Sequence, residues 1–139
     1  MAGTAIPWAG ASVDPMTAMF APQIADLKAG ADLPLGACCY IDNAGLAQLC
    51  DATAADEKGS FHGITGRSVK SGQPVTLLGP GTRLQYDEAA GLTPGAQLFL
   101  DVLGTGSLND TAQTGDSTGV AVALTTTDIM ITEYKLIGG

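Results

Sequence analysis

Glycine and proline punctuate this chain so closely that little besides short strands fits between them. Its 139 residues include 19 Gly and 7 Pro. Gly frees the backbone, whereas Pro fixes φ and removes a hydrogen-bond donor, so both end helices and mark turns. Apolar runs such as "ACCYI", "PVTLL" and "VAVAL" have the roughly four to eight residues of a strand, short of the roughly ten or more of a helix.

"GLTPGAQLFLD", residues 91–101, shows the pattern plainly. Pro94 pre-sets φ and Gly95 permits φ above zero, so this corner fixes where the next strand enters its sheet. Behind it, Ala96, Leu98, Leu100 and Val102 alternate with Gln97, Phe99 and Asp101. That is the period of a strand.

The same reading extends over residues 34–139. "ACCYI" and "LAQLC" flank "DNAG" as a hairpin. "FHGITG", "QPVTLLG" and "TRLQY" follow, the last with Leu84 and Tyr86 alternating with Arg83 and Gln85. After "AQLFLDVL" comes a polar loop, "GTGSLNDTAQTGDSTG", touched once by apolar Leu108. "VAVAL", a "TTTD" turn and "IMITEYKLI" complete the set. About eight short strands at this spacing predict an all-β fold, a small β-barrel or sandwich.

Residues 1–33 read differently. They are Ala-rich, carry Pro7, Pro15 and Pro22, and hold no sustained period. The expectation is an extended N-terminal arm with one short helix over 22–29. Pro22 suits a first helical position, Ile24 and Leu27 share a helical face, and Gly30 would end the helix. Trp8, Met16, Met19 and Phe20 are too irregularly spaced to build a core and too apolar to be left in water. They are the expected anchors through which the arm docks on a partner. The expected division is an arm, 1–33, and a β body, 34–139.

Six basic residues against 14 acidic ones give a formal charge of −8. That balance disfavours nucleic acid, whose affinity rests on Lys and Arg neutralising phosphates, and it disfavours anionic membranes as well. No run approaches the roughly 18 apolar residues of a membrane span. The first basic residue is Lys28, so the N-terminal stretch lacks the positive start of a secretory signal. Synthesis in a cytoplasm is the expectation.

Chemistry-bearing groups do not converge. Cys38 and Cys39 are adjacent in a predicted strand, so their side chains point to opposite faces. With Cys50 and the sole histidine, His62, they fit no zinc-finger or zinc-ribbon spacing. The cysteines are expected to be small buried apolar groups, with no metal and no cofactor. Ser60 lies near His62, but no nucleophile-elbow pattern surrounds any serine. "LGPGTR" lacks the Lys-Ser/Thr of a phosphate loop. Asp56–Glu57 and Asp87–Glu88 sit in predicted loops without EF-hand spacing. No catalytic residue is expected, and the chain is not read as an enzyme.

The order of blocks carries a resemblance. "AGADLPLGACCYIDNAGLAQLCDAT", "FHGITGRSVKSGQPVTLLGPGTRLQY", "GLTPGAQLFLDVLGTGSLNDTA" and "TGVAVALTTTDIMI" together resemble the head decoration, or cement, proteins of tailed bacteriophages. That family shows a "G-x-x-Y-I … G" hairpin, a "P-V-T-L" strand, a short "R-x-x-Y" strand, "G-L-T-P-G-x-x-L-Y-L" and "G-x-L-x-D-T-A". The match spans residues 29–131, with Phe99 where the family carries Tyr. The resemblance implies a β-rich homo-oligomer, a trimer ahead of a dimer, bound through the major capsid protein to the outer surface of an assembled shell. It therefore implies a virion location after synthesis in the host bacterial cytoplasm. The alternative is a phage head-fibre or a carbohydrate- or receptor-binding β-module. Such a module displays aromatic platforms, whereas most of Trp8, Phe20, Tyr40, Phe61, Tyr86, Phe99 and Tyr134 fall at inward strand positions.

Overall fold

The computed structural model describes residues 5–6, 23–53, 56–87 and 90–136, and within them the chain is all-β. The strands are β1 (Ala5–Ile6), β2 (Gln23–Ala29), β3 (Cys38–Ile41), β4 (Leu46–Leu49), β5 (Gly63–Thr65), β6 (Pro74–Leu78), β7 (Arg83–Gln85), β8 (Gln97–Leu100), β9 (Leu108–Asn109), β10 (Ala121–Ala123) and β11 (Asp128–Ile131). A 3₁₀ turn, Glu57–Gly59, follows β4. Strands β2-β4-β3-β5-β6 close into a barrel, and β1-β9-β8-β10-β11-β7 form a six-stranded sheet.

Strand alternation divides the core into two clusters. Cys39 of β3 points into the barrel with Ala47, Val75 and Leu77. Its neighbours Cys38 and Tyr40 point outward with Ile64 and Leu78, and meet Leu84, Leu98, Leu100, Ile129 and Ile131 of the sheet. The barrel wall is therefore buried on both faces where the sheet covers it, which is why β3 carries apolar side chains on both of its sides. Gly63 permits the close approach of β5 to β6. Its φ is 145°, and a Cβ there would stand 2.7 Å from both Leu77 Cβ and the Leu78 carbonyl oxygen.

The expected helix over 22–29 is a strand. Residues 23–29 run antiparallel to β6 and parallel to β4, and so complete the barrel. The helical spacing of Ile24 and Leu27 is produced by a bulge. Ile24 pairs with Leu77 but Leu27 pairs with Val75, so three steps on β2 match two on β6. Asp26, at φ 64°, absorbs the extra residue. A bulge resets strand alternation, and both apolar side chains consequently pack on the barrel core.

The boundary at residue 34 moves with it. Ala29 and Leu33 belong to the barrel core, and Leu33 bridges Val69. The barrel thus begins at residue 23. The polar loop after β8 also differs from expectation, for it contains β9 and the fully buried Asp116.

Candidate functional site

Trp8, Met16, Met19 and Phe20, the expected contact residues, lie outside the described residues. Both flanks of their segment are described, and both are built into sheets. Ile6 pairs with Leu108 at the edge of the six-stranded sheet and packs against the interlayer core. Its carbonyl accepts the Tyr86 hydroxyl at 3.0 Å. Tyr86, fully buried, also accepts the Leu108 N–H at 3.3 Å through the same oxygen, so one phenol joins β1, β9 and the end of β7. At the other flank, Ile24 pairs with Leu77 in the barrel. Residues 7–22 therefore lie in sequence between the edge strand of one sheet and the first strand of the barrel.

Several of the polar groups that sequence singles out are engaged in structure, whereas Glu88 lies outside the described residues. Asp56 caps the 3₁₀ turn by accepting the Lys58 N–H. Asp87 accepts the Gly91 N–H at 3.0 Å. His62 Nδ1 accepts the Ile41 N–H at 3.0 Å, and burial pushes the imidazole pKa down. All three cysteines are buried and free. Cys50 Sγ donates to the Ser60 carbonyl at 3.0 Å, and burial, the main cause, raises every thiol pKa, that of Cys39 to about 12. Such thiols are poor nucleophiles, because the reactive form is the thiolate.

Asp116 and Lys135 hold a position that spacing alone does not reveal. The Asp116 carboxylate is 0% exposed. It accepts N–H groups from Leu100 at 2.8 Å, Gly119 at 2.8 Å and Thr118 at 3.3 Å. Lys135 Nζ stands 3.4 Å from it and donates to Thr118 Oγ1 at 3.1 Å. Lys135 also bridges Phe61 through the backbone, so the C-terminal segment ties the sheet to the barrel. The available signal is "DSTG", since an Asp that accepts N–H groups two and three residues on is a turn former.

Among the described residues, the exposed large apolar side chains are Leu103 at 64%, Tyr134 at 40% and Leu136 at 74%. Each sits on a braced backbone. The Leu103 N–H donates to Asp101 Oδ2, and the preceding carbonyl, of Val102, accepts Thr53 Oγ1 at 3.1 Å. Tyr134 and Leu136 flank the anchored Lys135, and the Tyr134 ring lies over Gly79, where a Cβ would come within 2.5 Å of its hydroxyl oxygen. A shallow open cleft of about 290 Å³ lies beside β6, lined by Gly66, Arg67, Thr76 and Leu78. Among the described residues no three His, Cys, Asp or Glu side chains gather as a metal-binding group.

No protein-family model matches this chain, and no curated protein matches it.

Proposed function

We propose that this protein is a capsid decoration protein that binds the outer surface of an assembled phage shell as a homo-oligomer and stabilises it. The observation that carries the reading is the position of residues 7–22 in sequence between β1 and β2. Trp8, Met16, Met19 and Phe20 stand in sequence between two strands of a double-cored β body, and they are too apolar to be left in water. Asp56, His62, Asp87 and Asp116 accept backbone N–H groups, and the three cysteines fill the core. The block order over residues 29–131 that resembles the cement family adds its weight.

A homo-oligomer is part of the same reading. One body with four apolar anchors binds weakly, but several bodies held together bind through effective concentration. A trimer suits a shell with three-fold positions, and the major capsid protein is the partner. The body would be synthesised in the host cytoplasm and reside on the virion exterior.

The test is binding of the purified chain to assembled shells and to unassembled capsid subunits of the phage that encodes it. The reading predicts co-sedimentation with shells and none with free subunits. Binding to neither, together with retention on immobilised glycans, would favour the receptor-binding alternative.

A further inference from the structure

Just past the end of the β3–β4 ladder, two cysteines stand on neighbouring chain segments and in one core cluster. Ile41 pairs with Ala47, Tyr40 with Gln48 and Cys39 with Leu49, so the next rung sets Cys38 opposite Cys50. The Cys50 N–H donates to the Cys38 carbonyl at 3.0 Å. This is the one backbone bond between the two, because the Cys38 N–H turns to the Gly106 carbonyl; opposed residues of antiparallel strands stand about 4.5–5.5 Å apart at Cα, within the roughly 4.4–6.8 Å that a disulfide spans. Both side chains lie in the interlayer core, whereas Cys39 points into the barrel. Only this pair shares a face.

We propose that Cys38 and Cys50 form a cross-strand disulfide site, packing as two thiols in reducing surroundings and closing into one covalent rung when a small disulfide such as oxidised glutathione reaches them. One cysteine thiolate attacks the glutathione disulfide and releases the first glutathione thiolate. The second cysteine thiolate then attacks the mixed disulfide and expels the other. Two electrons pass from the protein to one glutathione disulfide, which departs as two reduced molecules carrying the two thiol protons.

Access decides when the step occurs. Gly106 covers the rung: its carbonyl accepts the Cys38 N–H at 2.7 Å, and a Cβ on it would stand 2.9 Å from Ala37 Cβ. The Ser60 carbonyl holds the Cys50 thiol. Burial also suppresses the thiolates. Closure therefore belongs to folding, before the β8–β9 loop and the Ser60 segment have covered the hairpin, and the formed bond is shielded afterwards.

The experiment is refolding of the full chain from urea in a buffer of oxidised and reduced glutathione, followed by thiol counting in denaturant and intact mass. The expected product has a native β spectrum, one titratable thiol in place of three, and a mass lower by two hydrogens. Fragmentation of this wild-type product should link residue 38 to residue 50. Cys39→Ala should keep the mass loss, and Cys38→Ala and Cys50→Ala should each abolish it. Three thiols in the refolded wild type, a 38–39 or 39–50 link, or an oxidised product without the native spectrum would each overturn the proposal.

Discussion

Removing the Asp116 carboxylate leaves the buried N–H groups of Leu100 and Gly119 without their acceptor, and strips Lys135 of its counter-charge. Breaking a buried pair from one side costs about 3–5 kcal/mol, much of it the desolvation of groups left unmade. Asp116→Ala should therefore lower the unfolding free energy by about that amount in urea titrations; a loss below about 1 kcal/mol would show that the carboxylate is not structural. His62 gives a pH dependence. Its ordinary pKa is 6.5, and burial lowers it in the folded chain. As pH falls, the unfolded chain takes up the proton first, so stability declines with pH through this window. The folded imidazole must also surrender the Ile41 N–H when Nδ1 is protonated. The urea midpoint should be lower at pH 5.5 than at pH 7.5, and His62→Gln should flatten that difference. Asp32 and Asp42 are held below their ordinary 3.8, chiefly by backbone N–H groups of Ser71 and Leu46. Their contribution is lost only at more acid pH, outside this window. An unchanged slope in His62→Gln would assign it to another group.

At the scale of elements, strands bounded by turn residues were legible and strands with irregular pairing were not. The "DNAG" hairpin and the runs at "PVTLL", "TRLQY", "AQLFL", "VAVAL" and "IMI" each fall on a strand, because tight turns and β-branched or apolar runs are local signals. "QIADLKA" carries helical spacing because a bulge at Asp26 shifts its phase; the residue spacing is the same in a helix and a bulged strand, and only the partner strand decides. β9 holds two residues within a polar loop, too few for any period. The consequence for domain boundaries is direct. Deleting residues 1–28 removes β2 up to Lys28 and leaves β4 and β6 unpaired along one side. An open barrel exposes unpaired strand edges. This truncation should lose the cooperative thermal transition of the full chain and aggregate; a sharp β-type transition like that of the full chain would show that β2 is dispensable.

The described residues form a β body whose two clusters share the wall of the barrel, and residues 7–22 fall in sequence between a strand of the six-stranded sheet and a strand of the barrel. Composition made part of this visible: Trp8, Met16, Met19 and Phe20 stand out because nothing around them could form a core. The flanking strands were not visible, since neither Ala5–Ile6 nor Gln23–Ala29 has a strand signal apart from its partners. Among the described residues, the exposed Leu103 and Leu136 carry no signal in sequence, and Tyr134, grouped there with aromatics at mostly inward positions, is 40% exposed, because exposure is set by tertiary packing. Attachment through the segment 7–22 is the central claim. A buried Trp or Phe side chain contributes about 1.5–3 kcal/mol, and an oligomer multiplies two such anchors per subunit. The most direct measurement compares wild type with the Trp8→Ala, Phe20→Ala double variant in shell co-sedimentation and in the temperature at which decorated shells open. The account predicts the same fold and oligomer for both chains, with lower occupancy and a lower opening temperature for the variant. Equal occupancy and equal protection would contradict it, and would shift attachment to the β body itself.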